Sequence, residues 1–156
     1  MTELKAGDMA PDFDLPTDRG KVSLAGLRGK TVVLYFYPKD DTTGCTAESI
    51  AFSQAKPDFA AVNAVVVGVS KDSVKSHARF RQKHGLDVEL GSSENEDMVD
   101  RYGVWVEKSM YGRKYMGIDR STFLIDKDGR LARVWRKVSV TGHVDEVLAA
   151  AKGLAA

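Results

Sequence analysis

Two nearly continuous runs of β-branched and aromatic residues constrain the fold of this chain more than any other feature. Residues 31–37 read TVVLYFY, and residues 64–70 read AVVVGVS. Apolar runs without a polar alternation are typical of strands that are buried on both faces. Because parallel neighbouring strands need a crossover connection, helices are expected between such strands. The pattern predicts an α/β protein.

Four helices are predicted from apolar spacing and from residues that break helices. The first begins near Cys45, and Pro57 is expected to kink or break it before a second stretch around Phe59. The other three are expected at residues 72–84, 94–102 and 143–152. Gly85 and Gly153 are expected to stop the second and the last of the four.

Shorter strand patterns complete a mixed β-sheet. Residues 10–16 alternate apolar and polar side chains between prolines, which suits a short edge strand. Residues 121–126 and 131–135 flank Asp128-Gly129, a pair typical of hairpin turns. The chain is predicted to form a central mixed sheet flanked by helices on both faces, in one domain over residues 1–156.

The charge balance excludes several kinds of partner. The chain has 23 basic and 22 acidic residues, a net charge of +1, so no global field attracts nucleic acid or an anionic membrane. It also lacks a signal-like N-terminus and an apolar stretch long enough to span a membrane. A small neutral substrate and a cytoplasmic location are therefore expected.

Cys45 is the only cysteine in the chain. One cysteine excludes an internal disulfide, a Cys-x-x-Cys dithiol and a cysteine-rich metal site. Such a residue is usually a small buried hydrophobe. Here, however, Pro38 ends a buried strand, and a loop rich in helix-capping residues follows it. Cys45 should then lie in the first turn of a helix, where unpaired N–H groups stabilise a thiolate.

The residues around Cys45 resemble a known family. Residues 36–48, FYPKDDTTGCTAE, are similar to the active-site segment of peroxiredoxins, particularly the bacterioferritin-comigratory or Q-type branch. Pro38, Thr42 and Cys45 match the family motif Pro-x-x-x-Thr-x-x-Cys. Residues 111–118 and 120–126 resemble later blocks of that branch. The resemblance implies a thioredoxin-like fold and a thiol-dependent peroxidase.

The resemblance also implies roles for individual residues. Cys45 would attack hydrogen peroxide or an organic hydroperoxide and become a sulfenic acid. Thr42, the backbone N–H of Cys45 and Arg120 would hold the peroxide, while Pro38 would shield the pocket and Glu48 would orient Arg120. Simpler interpretations are a helix N-cap for Thr42, a strand terminator for Pro38, and a surface charge for Arg120.

The chain departs from many of its relatives at the positions of the second, resolving cysteine. Ile50 stands where some relatives carry it five residues after the first, and Arg81 stands at the alternative position in the next long helix. The sulfenic acid would therefore be reduced by an external thiol: thioredoxin, glutaredoxin or a small molecule. This predicts a one-cysteine cycle without a cofactor.

Residues outside the motif give weaker signals. The three histidines are expected to be solvated and to bind no metal: His77, His84 and His143. Trp105 and Tyr111, with Lys108 and Arg113, form too small an aromatic and basic cluster to indicate nucleic-acid binding. These four residues are expected to line a loop over the site.

Two other functions are compatible with a single reactive cysteine. A peroxide sensor would use the oxidation of Cys45 to change its contacts with a protein partner, and it would be reduced slowly. A thiol-disulfide oxidoreductase on the same fold is less favoured, because reversible dithiol exchange normally uses two cysteines. A monomer or a weak homodimer is expected.

Overall fold

The computed structural model describes residues 3–155, which contain nine strands, four α-helices and a short 3₁₀-helix at Ala25–Leu27. The strands are β1 (Asp14–Thr17), β2 (Gly20–Ser23), β3 (Thr31–Phe36), β4 (Ala64–Ser70), β5 (Glu89–Ser92), β6 (Trp105–Met110), β7 (Arg113–Ile118), β8 (Ser121–Ile125) and β9 (Leu131–Trp135). The helices are α1 (Thr43–Ala61), α2 (Val74–His84), α3 (Met98–Arg101) and α4 (His143–Ala155). The predicted α/β class is confirmed.

Seven strands form one mixed sheet in the order β2-β1-β5-β4-β3-β8-β9. The two apolar runs are β3 and β4, which pair in parallel near the centre, with Val33 opposite Val66. β5 continues the parallel pairing, whereas β8 and β9 are antiparallel. Central position explains the uninterrupted apolar sequence, since both faces of these strands are covered. The predicted hairpin around Asp128-Gly129 joins β8 to β9 and is confirmed.

Alternate side chains of β3 enter two apolar clusters on opposite faces of the sheet. Val33 and Tyr35 pack in the cluster that includes buried residues of α1, α2 and α4. Val32, Leu34 and Phe36 pack in the other cluster, which includes residues of α3. The prediction of helices on both faces is therefore confirmed, with three helices on one face and the one-turn α3 on the other.

The prediction of an edge strand at residues 10–16 is wrong in its bounds and in its location in the sheet. The strand is β1, at Asp14–Thr17, and it lies between β2 and β5, so β2 forms the edge. β1 pairs with β5 only where Thr17 lies opposite Gly91. Pro16, which has no N–H to donate, can therefore occupy an internal strand without interrupting that ladder.

Three strand segments were not predicted. They are β2, β5 and the separate β6–β7 hairpin, which occupies the residues expected to form a loop over the site. Tyr111 stands at the tip of that hairpin and is 98% exposed, so it lines no pocket. α3 is also shorter than the helix predicted at residues 94–102.

The predicted ends of three helices can be compared with the structure. Gly85 ends α2 in the left-handed conformation, as predicted. α1 continues through Pro57 without a break, because Phe52 and Phe59 on either side are both buried in one cluster. α4 passes Gly153 and reaches Ala155, so that stop is wrong. Within residues 3–155, no helix is long and apolar enough to cross a membrane.

Candidate active site

The loop after β3 places Cys45 in the first turn of α1. The backbone N–H of Tyr37 donates to the Val69 carbonyl at 3.0 Å, and the chain then leaves the sheet at Pro38. α1 begins at Thr43, so Cys45 is its third residue. The thiol is only 1% exposed, inside the cluster under α1. A sulfur at this position faces the positive end of the helix dipole.

Strand register brings Arg120 to this cysteine. Ser121 of β8 lies opposite Phe36, the last residue of β3, so the residue before β8 reaches the same end of the sheet as the start of α1. From there Nη2 of Arg120 donates to Sγ of Cys45 at 3.2 Å. Nη1 donates to Oε1 of Glu48 at 2.7 Å. One guanidinium thus contacts both the sulfur and the carboxyl group.

Glu48 is completely buried one turn after Cys45. Burial raises the pKa of Glu48 from 4.5 to about 7, although the neighbouring Arg120 charge favours the carboxylate. Its second oxygen, Oε2, has no hydrogen-bond partner among the described residues. Around neutral pH the group is therefore divided between the carboxylic acid and the carboxylate, and Arg120 is only partly neutralised by it.

Gly44 leaves the space that Arg120 occupies. A Cβ atom at this position would lie 3.2 Å from Nη2 of Arg120, which is tighter than ordinary van der Waals contact. The absence of a side chain in the first turn of α1 therefore lets the guanidinium approach Sγ of Cys45. A methyl group at this position would displace Nη2 of Arg120 by a few tenths of an ångström.

Thr42 and Pro38 both lie on the exposed side of the loop. Thr42 occupies the N-cap position of α1, but its hydroxyl makes no capping hydrogen bond and instead donates to the Lys39 carbonyl at 2.8 Å. Thr42 is therefore the N-cap residue by position, as the simpler interpretation predicted, but its side chain supplies no capping hydrogen bond. Because its proton is engaged, the oxygen of Thr42 is free to act as an acceptor. Pro38 is exposed at the start of the loop.

The two positions at which the family resemblance would place a resolving cysteine are occupied by ordinary structural side chains. Ile50 is half-buried on α1 and packs against the cluster around Cys45. Arg81 lies on α2, where Nε and Nη2 donate to Asp18 at 2.6 and 3.1 Å, and Nη1 donates to the Leu86 carbonyl at 2.9 Å. Arg81 therefore fastens α2 to the turn between β1 and β2.

The prediction of solvated histidines is wrong. His77 is completely buried against Asp40, and His84 contacts Asp41 at 2.7 Å. His143 is buried and lies 2.8 Å from the Thr122 hydroxyl; burial lowers the pKa of this imidazole. Each ring has a polar partner on another element, which removes the cost of burying it.

The attachment of the active-site loop to α2 was missed in the sequence. Asp40 and Asp41 precede Thr42, and their partners His77 and His84 are seven residues apart on α2. Seven residues make about two helical turns, so both histidines lie on one face of the helix. The sequence shows two adjacent aspartates within the cysteine motif and two histidines at this spacing, but no local pattern indicates that they pair.

The fold and this site define a class: a thioredoxin-like α/β protein with one buried cysteine at a helix start, contacted by an arginine. The model of the AhpC/TSA family matches residues 6–134, and the chain belongs to this family. Peroxiredoxin Bcp of Bacillus subtilis is 45% identical over 152 residues, covering 97% of each chain. A bcp protein of Coxiella burnetii is 49% identical over 146 residues, 93% of this chain and 97% of that protein.

A solved structure agrees with these relatives. The bacterioferritin comigratory protein of Xanthomonas campestris, studied for alkyl peroxide reduction, superposes with a TM-score of 0.90 at 42% identity. The superposition covers 97% of this chain and 99% of that one. The chain is a peroxiredoxin of the Bcp type, and its activity is that of a thiol-dependent peroxidase. These comparisons confirm both the predicted resemblance to peroxiredoxins and the thioredoxin-like fold.

We expect Gly44→Ala to slow the oxidation of Cys45 by hydrogen peroxide by roughly 10-fold, because a displaced guanidinium no longer aligns with sulfur and substrate. The free energy of unfolding should not fall, since alanine is favoured over glycine in a helix by up to about 1 kcal/mol. Stopped-flow oxidation and urea unfolding measure the two effects. Gly153→Ala is the control, because nothing lies within 4 Å of the added Cβ. Equal rates for Gly44→Ala and wild type would contradict the steric argument.

We expect Glu48→Gln to remove a pH dependence of stability. Because the folded-state pKa of Glu48 is about 7, above 4.5, its stabilising contribution is full below pH 4.5 and is lost as the pH rises through 7. Between about pH 5 and about pH 8, the free energy of unfolding of wild type should fall by up to about 3 kcal/mol more than that of the variant. Urea unfolding measures it, with the exposed Glu107→Gln as control. Parallel pH curves for wild type and Glu48→Gln would refute the expectation.

Proposed function

We propose that this peroxidase runs a one-cysteine cycle on Cys45. The observation that carries the proposal is the 3.2 Å contact between Nη2 of Arg120 and the sulfur of the chain's only cysteine. A guanidinium at this distance stabilises the thiolate and any charge that develops on an oxygen bound beside it. Arg120 thus gives the sulfur the cationic, hydrogen-bonding neighbour that peroxide attack requires.

In the first step the thiolate of Cys45 attacks the terminal oxygen of the hydroperoxide. The S–O bond forms, the O–O bond breaks, and the alkoxide or hydroxide leaves and takes up a proton, so that the sulfur becomes a sulfenic acid. Arg120 and the backbone N–H of Cys45 would donate to the peroxide oxygens. Thr42, whose hydroxyl proton is engaged with Lys39, would accept the hydrogen of the peroxide O–H. Glu48 would hold Arg120 in place, and Pro38 would limit water access.

In the second step an external thiol attacks the sulfenic sulfur, which releases water and leaves a mixed disulfide on Cys45. A second thiol then attacks the external sulfur of that mixed disulfide, which frees Cys45 and releases the two external sulfurs joined as a disulfide. Ile50 and Arg81 at the resolving positions support this route. Thioredoxin, glutaredoxin or a small thiol would serve as the reductant, and hydrogen peroxide or an organic hydroperoxide as the substrate.

The experiment measures both halves of the cycle on the full chain. The second-order rate of Cys45 oxidation by hydrogen peroxide is followed first, and oxidised protein is then offered thioredoxin, glutaredoxin and small thiols in turn. We expect fast oxidation, steady turnover with at least one thiol, and a single mixed disulfide at Cys45 by mass spectrometry. An oxidation rate no faster than that of an ordinary free thiol would overturn the peroxidase step. Fast oxidation without recycling by any thiol would replace the cycle with the sensor function.

We further propose that the protein is cytoplasmic, forms one domain and works as a monomer or weak homodimer without a cofactor. The near-balance of 23 basic and 22 acidic residues supports small neutral substrates over nucleic acid or an anionic membrane. Sedimentation velocity across a range of protein concentrations tests the association state, and a concentration-independent larger assembly would contradict it.

A further inference from the structure

A buried cluster of polar side chains lies behind the loop that presents Cys45. Asp40 accepts a hydrogen bond from the Tyr37 hydroxyl at Oδ1, at 2.6 Å, and from the Ser76 hydroxyl at Oδ2, at 2.7 Å. Nδ1 of His77 lies 2.7 Å from Oδ2 of Asp40, and its Nε2 lies 3.1 Å from the Gly91 carbonyl. None of these groups forms a hydrogen bond with the sulfur, so the proposed peroxide chemistry leaves the cluster unexplained.

The hydrogen-bond partners define how His77 is held. A backbone carbonyl only accepts, so Nε2 of His77 must carry a hydrogen that points to Gly91. The remaining proton lies between Nδ1 and Oδ2 of Asp40, and every contact is satisfied whichever of the two atoms holds it. The ring orientation is therefore fixed at both nitrogens. This gives Asp40 a rigid partner on α2, a different element from the loop.

Beyond the contact between Asp40 and His77, two more attachments hold the same loop to neighbouring elements. The backbone N–H of Asp40 donates to Asp72 at 2.8 Å, and Asp41 receives Lys83 at 2.6 Å and His84 at 2.7 Å. Asp41 has a positive φ of 60°, a conformation that a residue with a side chain adopts at some cost in energy. The contacts to α2 hold the backbone in this conformation immediately before Thr42.

We propose that Asp40 and His77 are positioning residues for the oxidation of Cys45. They hold the backbone of residues 39–42 so that Thr42 and the first turn of α1 face the peroxide. This inference rests on the proposed function. A buried ionic or proton-sharing pair adds little net stability compared with apolar side chains of similar volume. Its location directly behind the active-site loop favours a role in geometry over one in stability alone.

The test separates positioning from folding by pairs of variants. His77→Leu removes both hydrogen bonds, whereas His77→Asn keeps an amide N–H near the position of Nδ1. We expect His77→Leu to slow Cys45 oxidation by hydrogen peroxide by about 10- to 100-fold, and His77→Asn to restore most of that loss. Arg81→Met is the control, because it removes three hydrogen bonds made by the same helix at a site away from the active-site loop. The oxidation rate of this variant should stay within about twofold of wild type.

Two further measurements distinguish a positioning role from a structural one. Because the pair acts as a unit, the double variant Asp40→Ala with His77→Leu should oxidise no more slowly than the slower single variant. Reduction of the preformed sulfenic acid by a small thiol should be unchanged in His77→Leu, since that step does not use the peroxide-binding geometry. If His77→Leu, His77→Asn and Arg81→Met all lose activity only in proportion to their unfolding free energies, the inference is overturned. A slow wild-type protein would instead overturn the proposed function.

Discussion

Replacing Cys45 by serine should reduce thiol-dependent peroxide turnover to the uncatalysed background while the fold is retained. Serine has nearly the same volume, but its hydroxyl is not ionised near neutral pH and does not displace an oxygen from a peroxide. No second cysteine is present to take over the reaction. The measurement is steady-state peroxide consumption with the best thiol from the recycling screen, together with circular dichroism and thermal unfolding.

The control for this substitution is Thr46→Ser, which changes the adjacent residue of the same helical turn and should retain turnover. Because the buried sulfur of Cys45 accepts a hydrogen bond from Arg120, serine offers an acceptor at the same place and the site should not collapse. Measurable thiol-dependent turnover by pure Cys45→Ser protein would show that another group carries the reaction.

Replacing Arg120 by methionine should lower the second-order rate of Cys45 oxidation by about 100- to 1,000-fold, the cost typical of removing one donor from a site of developing negative charge. Arg120→Lys should recover only part of this rate. A guanidinium donates through separate nitrogens to Sγ of Cys45 and to Glu48, whereas an ammonium is a single point charge on a flexible stem. Stopped-flow oxidation at several peroxide concentrations measures the rate.

Arg120→Met also leaves Glu48 buried without its partner, which would destabilise the protein when the carboxyl is ionised. The double variant Arg120→Met with Glu48→Gln removes that unpaired charge and should recover stability but not rate. Arg133→Met is a control for the loss of an arginine, since this side chain makes an exposed ion pair with Glu146 at 3.0 Å. A rate for Arg120→Met equal to that of the Arg133 variant would refute the role of the guanidinium.

The elements that were predicted correctly have strong local signals, and those that were missed do not. β3 and β4 are continuous apolar runs, and the last helix has an apolar stripe, so burial alone indicates them. β5, with the sequence ELGS, is too short and mixed for either pattern. The β6–β7 hairpin mixes apolar and polar residues without a regular alternation, and its two-residue turn has Tyr111 and Gly112 at positive φ. Such a turn is typical of tight hairpins, but tyrosine is not a residue that indicates it.

The same distinction applies to the histidines. His77 was expected to be solvated, because histidines are usually exposed and no acidic or cysteine partner stands near it in the sequence. It is buried because Asp40, 37 residues earlier in the chain, supplies a partner for Nδ1. No local pattern contains both members of a pair at this separation, so only the packing of α2 against the loop identifies them.

The sequence by itself determined that a single cysteine would follow a buried strand and a proline and lie in the first turn of a helix, because helix starts and strand ends are properties of neighbouring residues. It also determined that no second cysteine would close an internal disulfide. Only the tertiary structure decided what surrounds the sulfur. Arg120 is 75 residues from Cys45, and it reaches the sulfur because β8 pairs with β3 in a register that ends beside α1. That register depends on the burial of both faces of the sheet, a property of the whole chain.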